Sequence, residues 1–107
     1  MPIPVLQRIA NMFDGFAHET NTVTDIVRAL DPTKYNPLKG KPAIQALFTI
    51  EDASIRYFYH GEEPTSTNGH LLSVGSSILI QGLRAITKFR FVRATTTNAL
   101  YKITYER

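Results

Sequence analysis

A chain of 107 residues has room for one hydrophobic core, because a second would starve the first at a length where single domains cluster. Its 43% hydrophobic and 20% charged residues exclude the disordered class, and the net charge of +3 is too small and too dispersed to argue a nucleic-acid footprint. The absence of cysteine excludes disulfides and thiolate metal sites.

The opening MPIPVLQRIANMFDG has two prolines, an early Arg8 and no continuous apolar stretch. That is neither a secretory signal nor a membrane span, so the expectation is synthesis and function without membrane passage. Pro2 and Pro4 favour an extended start, and the spacing of Leu6, Ile9, Met12, Phe13 and Phe16 predicts a short amphipathic helix. Residues 1–17 read as an N-terminal arm for a neighbouring subunit, the alternative being an edge cover on their own domain. Residues 18–107 read as a β-sandwich domain.

Residues 22–30, rich in β-branched side chains, read as a strand, with a short helix as the alternative. Residues 31–42, with three prolines and Gly40, read as an irregular surface segment. From residue 42 onward the apolar residues recur with period two. Residues 43–50 put Ile44, Ala46, Phe48 and Ile50 on one side, a turn falls at Glu51 and Asp52, and Ile55, Tyr57 and Tyr59 alternate in the next strand. The segment 60–69 is dense in turn formers and reads as a long exposed loop. A short extended stretch follows around Leu71, Leu72 and Val74, then a strand over 77–81 that Gly82 ends. Residues 87–94 read as a strand with Phe89 and Phe91 inward, 95–98 as a hairpin turn, and 99–105 as the last strand with Tyr101, Ile103 and Tyr105 on one side. The expected fold is therefore all-β, a single antiparallel β-sandwich or jelly roll of about 6–8 short strands with an N-terminal arm or short helix.

Chemistry has few candidates. His18, His60 and His70 lack metal-ligand spacing, although His60 and His70 flank the long loop and could approach one another. Glu51-Asp52 and Glu62-Glu63 are sequence neighbours that would point to opposite faces of a strand, so they cannot share a proton as a catalytic dyad does. The serines lack a nucleophile elbow, and no phosphate-binding glycine loop is present. The expectation is a non-enzymatic protein without catalytic residues, metal or cofactor. The aromatic residues at strand spacing read as core filling. Tyr35, Phe58 and one of Tyr101 and Tyr105 are expected at the surface, where coplanar rings could stack on a sugar and make a carbohydrate-binding module for host attachment. The expected protein interface joins Ile3, Val5, Leu6, Ile9, Met12, Phe13 and Phe16 of the arm with Arg56, Phe58 and Arg90 of the strands.

The stretch from Ala53-Ser54-Ile55-Arg56-Tyr57 through His60-Gly61-Glu62-Glu63-Pro64-Thr65-Ser66, the segment Gly69-His70-Leu71-Leu72, the strand Lys88-Phe89-Arg90-Phe91 and the closing Ile103-Thr104-Tyr105 resemble small virion structural proteins of tailed bacteriophages. The likeness covers residues 43–107, and His60 stands where the turn of that pattern usually has Asp. The resemblance implies a scaffold role, such as capsid cement, decoration or head-tail and tail adaptor. Its implied partners are the major capsid protein or other virion subunits and further copies of itself, in a particle assembled in the host cytoplasm; the hydropathy and the dispersed charge give no reason to expect a membrane or nucleic acid as partner. It transfers no catalytic or metal residue.

Overall fold

A computed structural model describes residues 13–107. Among these residues eight strands and two short helices follow one another as β1 (Gly15–Val23), β2 (Arg28–Ala29), α1 (Pro32–Tyr35), β3 (Gln45–Glu51), β4 (Ile55–Phe58), β5 (His70–Leu72), β6 (Ser77–Gln81), α2 (Leu83–Lys88), β7 (Arg90–Arg93) and β8 (Ala99–Glu106). They form two antiparallel four-stranded sheets, ordered β1-β8-β3-β6 and β2-β7-β4-β5. In this order β1 pairs with β8, β2 with β7, β3 with β6 and β4 with β5, as though one long hairpin had been wrapped into two layers. The sandwich is a jelly roll.

The core lies between the layers and follows the alternation of the strands. Ala46, Phe48 and Ile50 of β3 face Tyr101, Ile103 and Tyr105 of β8, and all are buried. Phe48 stacks on Tyr101 at 5.5 Å, while Phe89, at the end of α2, and Phe91, from the other sheet, meet it at 5.2 and 5.3 Å. Such packed aromatic groups account for much of what a small core can supply.

Several expectations change. The segment 22–30 is not one strand: β1 ends at Val23 and β2 is two residues long. β1 starts at Gly15, and Phe16 and Ala17 pack against the core, so the boundary between residues 17 and 18 falls inside a strand. The helix expected over residues 6–16 lies largely outside the described residues, and its last part is a bend followed by strand. Residues 31–42 are not wholly irregular. Asp31 accepts the Thr33 N–H and hydroxyl, Pro32 opens α1, and Tyr35 is buried against the ring of Tyr105. Residues 87 and 88 end α2 instead of starting a strand, because Ile86 turns inward to close that end of the sandwich. Ile44 precedes β3 and is exposed. Tyr35, Tyr101 and Tyr105 are all buried, so of the aromatic residues expected outside only Phe58 is even half-exposed. The β3–β4 turn falls where the sequence places it, with Asp52 at φ 72°.

Candidate functional site

Of the expected interface residues, Ile3, Val5, Leu6, Ile9 and Met12 lie outside the described residues. Phe13 is half-buried, and Phe16 sits in β1 with the Arg107 guanidinium 4.2 Å above its ring. Phe58 on β4 is the cross-strand partner of Arg90 on β7, so those two do meet. Both arginines are nonetheless engaged within the domain. Arg56 Nη1 donates to the Gly69 carbonyl at 3.2 Å, and Arg90 Nη1 donates to the carbonyls of Thr87 and Phe89 at 3.0 and 2.9 Å.

The Gly-x-x-Pro-Thr-Ser stretch explains the Arg56 bond. Pro64 is fully buried, the Thr65 hydroxyl accepts the N–H groups of Thr67 and Asn68, and backbone bonds join Thr65 and Asn68 in both directions. Gly69, at φ +129°, passes so close to β4 that a Cβ would meet Pro64 Cβ at 3.1 Å, the Tyr57 carbonyl at 3.2 Å and Arg56 Cβ at 3.3 Å. The signature residues thus fold the β4–β5 loop back onto its own strands. His60 lies 3.7 Å from the Glu62 carboxylate and edge-on to Phe58, and His70 packs against the same ring, so the loop does bring the two histidines to one aromatic cluster.

On the far side of that cluster a groove of about 460 Å³ opens between the tip of β4, the edge of β6 and α2. Tyr57, Ile78, Ile80, Ala85 and Phe89 give it an apolar floor, and Leu79 and Gln81 line it as well. Tyr57 stacks on Phe89 at 5.4 Å, and Tyr59, 54% exposed, stacks on His70 at 5.9 Å with the rings 14° apart. Burial, and then the neighbouring Tyr59, hold the Tyr57 phenol above its ordinary pKa. The groove continues past Tyr59 and Gln81 into a rim carrying His60, Arg84 and Lys88. Sequence periodicity missed this surface because it needs α2, the β6 edge of one sheet and the end of β4 from the other together. The available signal was the strand Ser-Ile-Leu-Ile-Gln itself, which has no charge or proline to guard an edge.

No family model, curated protein or solved structure matches this chain.

A second constellation holds titratable groups. Glu19, on the inward side of edge strand β1, accepts hydroxyl hydrogen bonds from Tyr101 at 2.6 Å and from Tyr105, and the Asp31 N–H at 3.2 Å. Burial first, and the Glu19 carboxylate next, push Tyr101 up to about 12 and raise Tyr105 still further. The Arg28 guanidinium lies 5.7 Å over the Tyr101 ring and donates to the Thr22 carbonyl at 3.3 Å. Phenols held this firmly protonated are hydrogen-bond donors and poor bases, so the cluster acts as a clamp of β1, β8 and α1. Elsewhere, Gln45 Nε2 donates to the buried Glu106 carboxylate at 3.1 Å. Among the described residues no group of three or more His, Asp or Glu side chains is placed to hold a metal, and no helix is long and apolar enough to cross a membrane.

Proposed function

We propose that this chain is a non-enzymatic structural component of a tailed-bacteriophage virion, a small jelly roll that binds neighbouring capsid or tail subunits to stabilise or decorate the particle. The observation that carries the reading is the β6 edge, an uncharged apolar strand that ends its sheet among the described residues, beside a groove with an apolar floor. An unguarded edge beside apolar surface is a protein-docking feature. The jelly roll adds an analogy of fold, since viral capsid domains use this architecture, as do lectins. The likeness of residues 43–107 to small virion proteins points the same way, and assembly in the host cytoplasm follows from it.

The test is co-sedimentation of the purified protein with particles that lack it. Saturable binding at a fixed number of copies per particle supports the reading. Failure to bind particles, heads and tails alike, refutes it.

One observation favours a second reading. The exposed Tyr59 ring beside Gln81 offers a stacking face and an amide to a sugar, as a carbohydrate-binding module for host attachment would. Retention on a host polysaccharide, abolished by Tyr59→Ala, would select that reading instead.

A further inference from the structure

Edge strands β1 and β6 bound the same sheet and are treated differently. β1 carries His18 and the inward-pointing Glu19, a charge at which a partner strand would have to stop. β6 carries no such guard, and the direction of its backbone groups can be read from its ladder. Gly82 N–H donates to the Ile44 carbonyl at one end, Ile50 N–H donates to the Ser76 carbonyl at the other, and Ile80 and Ile78 oppose Ala46 and Phe48 between them. The even-numbered residues therefore bond to β3. Ser77, Leu79 and Gln81 turn their N–H and C=O groups to the open side, where no strand among the described residues meets them.

The sequence contains a segment suited to that edge. In Pro2-Ile3-Pro4-Val5-Leu6 the prolines are two apart, so in an extended chain their missing N–H groups fall on one side, and Ile3 and Val5 present their backbone groups on the other. A strand that bonds on one side only has this pattern. None of these five side chains is charged, which suits an uncharged edge. Asp14 and Arg107 exchange backbone hydrogen bonds of 3.0 and 2.9 Å, which extends the β1–β8 ladder past Gly15 and fixes where the preceding segment joins the domain. Twelve extended residues span about 40 Å. Drawn out fully, that length is comparable with the 39 Å long dimension of the domain, and even with a helical turn or two in its later part the segment is long enough for its first residues to meet a docked second copy.

We propose that residues 2–6 of one copy add as a fifth strand to the β6 edge of a second copy, Ile3 and Val5 bonding to the backbone of Ser77, Leu79 and Gln81. This deepens the reading of the chain as a subunit-binding module and rests on it. Main-chain bonds supply the attachment, and the groove beside β6 takes up the apolar side chains.

The experiment is amide hydrogen exchange at Leu79 and Gln81, with mass by light scattering, on the full chain over a dilution series. Expected are an oligomer at high concentration and exchange at both amides slowed about tenfold or more, the protection fading as dilution gives monomer. Val5→Pro removes a bonding N–H from the arm, and the circular dichroism spectrum and Tm of the variant check that the domain is intact. This variant should give monomer with fast exchange at both amides. Leu79→Pro removes an N–H that β3 does not use, so it should keep the circular dichroism spectrum and lose assembly. A protein that is monomeric throughout, protection that persists in the monomer, or assembly unchanged by Val5→Pro overturns the proposal. Particle binding is measured separately. Particles bound by a chain whose β6 amides stay fast would sink the arm alone, and arm exchange without particle binding would sink the virion reading alone.

Discussion

Tyr105→Phe removes one hydroxyl and leaves a ring of nearly the same volume, so the packing of that ring on Tyr35 at 5.8 Å is kept. What is lost is one donor to Glu19, whose remaining partners are the Tyr101 hydroxyl and the Asp31 N–H. A hydrogen bond to a charged group contributes about 1.5–3 kcal/mol. For 107 residues the unfolding entropy near 60 °C is about 225 cal/mol/K, so the loss should lower Tm by about 7–13 °C. The assay is thermal unfolding followed by circular dichroism at pH 7, for Tyr105→Phe, Glu19→Gln and the double variant. Because the two groups touch, their effects should be non-additive by about 0.5 kcal/mol or more. A Tm within about 2 °C of wild type, or strict additivity, would refute the clamp.

Alkaline pH should act on the same cluster. Tyr101 is raised to about 12 and Tyr105 beyond it, whereas unfolded tyrosines release their protons near about 10. Above pH 10 the folded state then binds more protons than the unfolded one, so this contribution is complete below pH 10 and is lost as pH rises toward 12. Melting curves from pH 8 to 12 should show the decline, and Tyr101→Phe with Tyr105→Phe should flatten it; equal slopes would count against the assignment. Phe91 is buried against Phe48, Phe89 and Tyr101, so Phe91→Ala, and likewise Phe89→Ala, should cost about 3–5 kcal/mol in urea unfolding. Gly69→Ala should destabilise by more than about 1 kcal/mol, because a positive φ and three close neighbours oppose a Cβ there. Gly75→Ala, with a positive φ but open space, should cost less, and the reverse order in chemical denaturation would show the β4–β5 loop to be looser than described.

What the sequence by itself determined is local. Alternation marked β3, β6 and β8 to within a residue or two, since successive side chains of a strand point to opposite faces wherever that strand ends up. The turn at 51–52 and the loop at 60–69 were equally legible, because they depend on the backbone preferences of a few adjacent residues. The hairpin expected at 95–98 is not one: that stretch carries the chain from one sheet to the other, β7 pairing with β2 and β4 and β8 with β1 and β3. The cap of α1 was written in Asp31-Pro32-Thr33, but four residues make too short a helix for periodicity to register. Tertiary structure decided which strand lies beside which. It set β1 against β8, brought Glu19 to the hydroxyl of a tyrosine 86 positions away, and so buried two rings of which one was expected outside. It also decided that β6 stands at an open edge facing a groove. Alternation fixes which side of a strand is apolar and carries no record of its neighbour; that choice is made when both layers close on one core and the chain is wrapped around it.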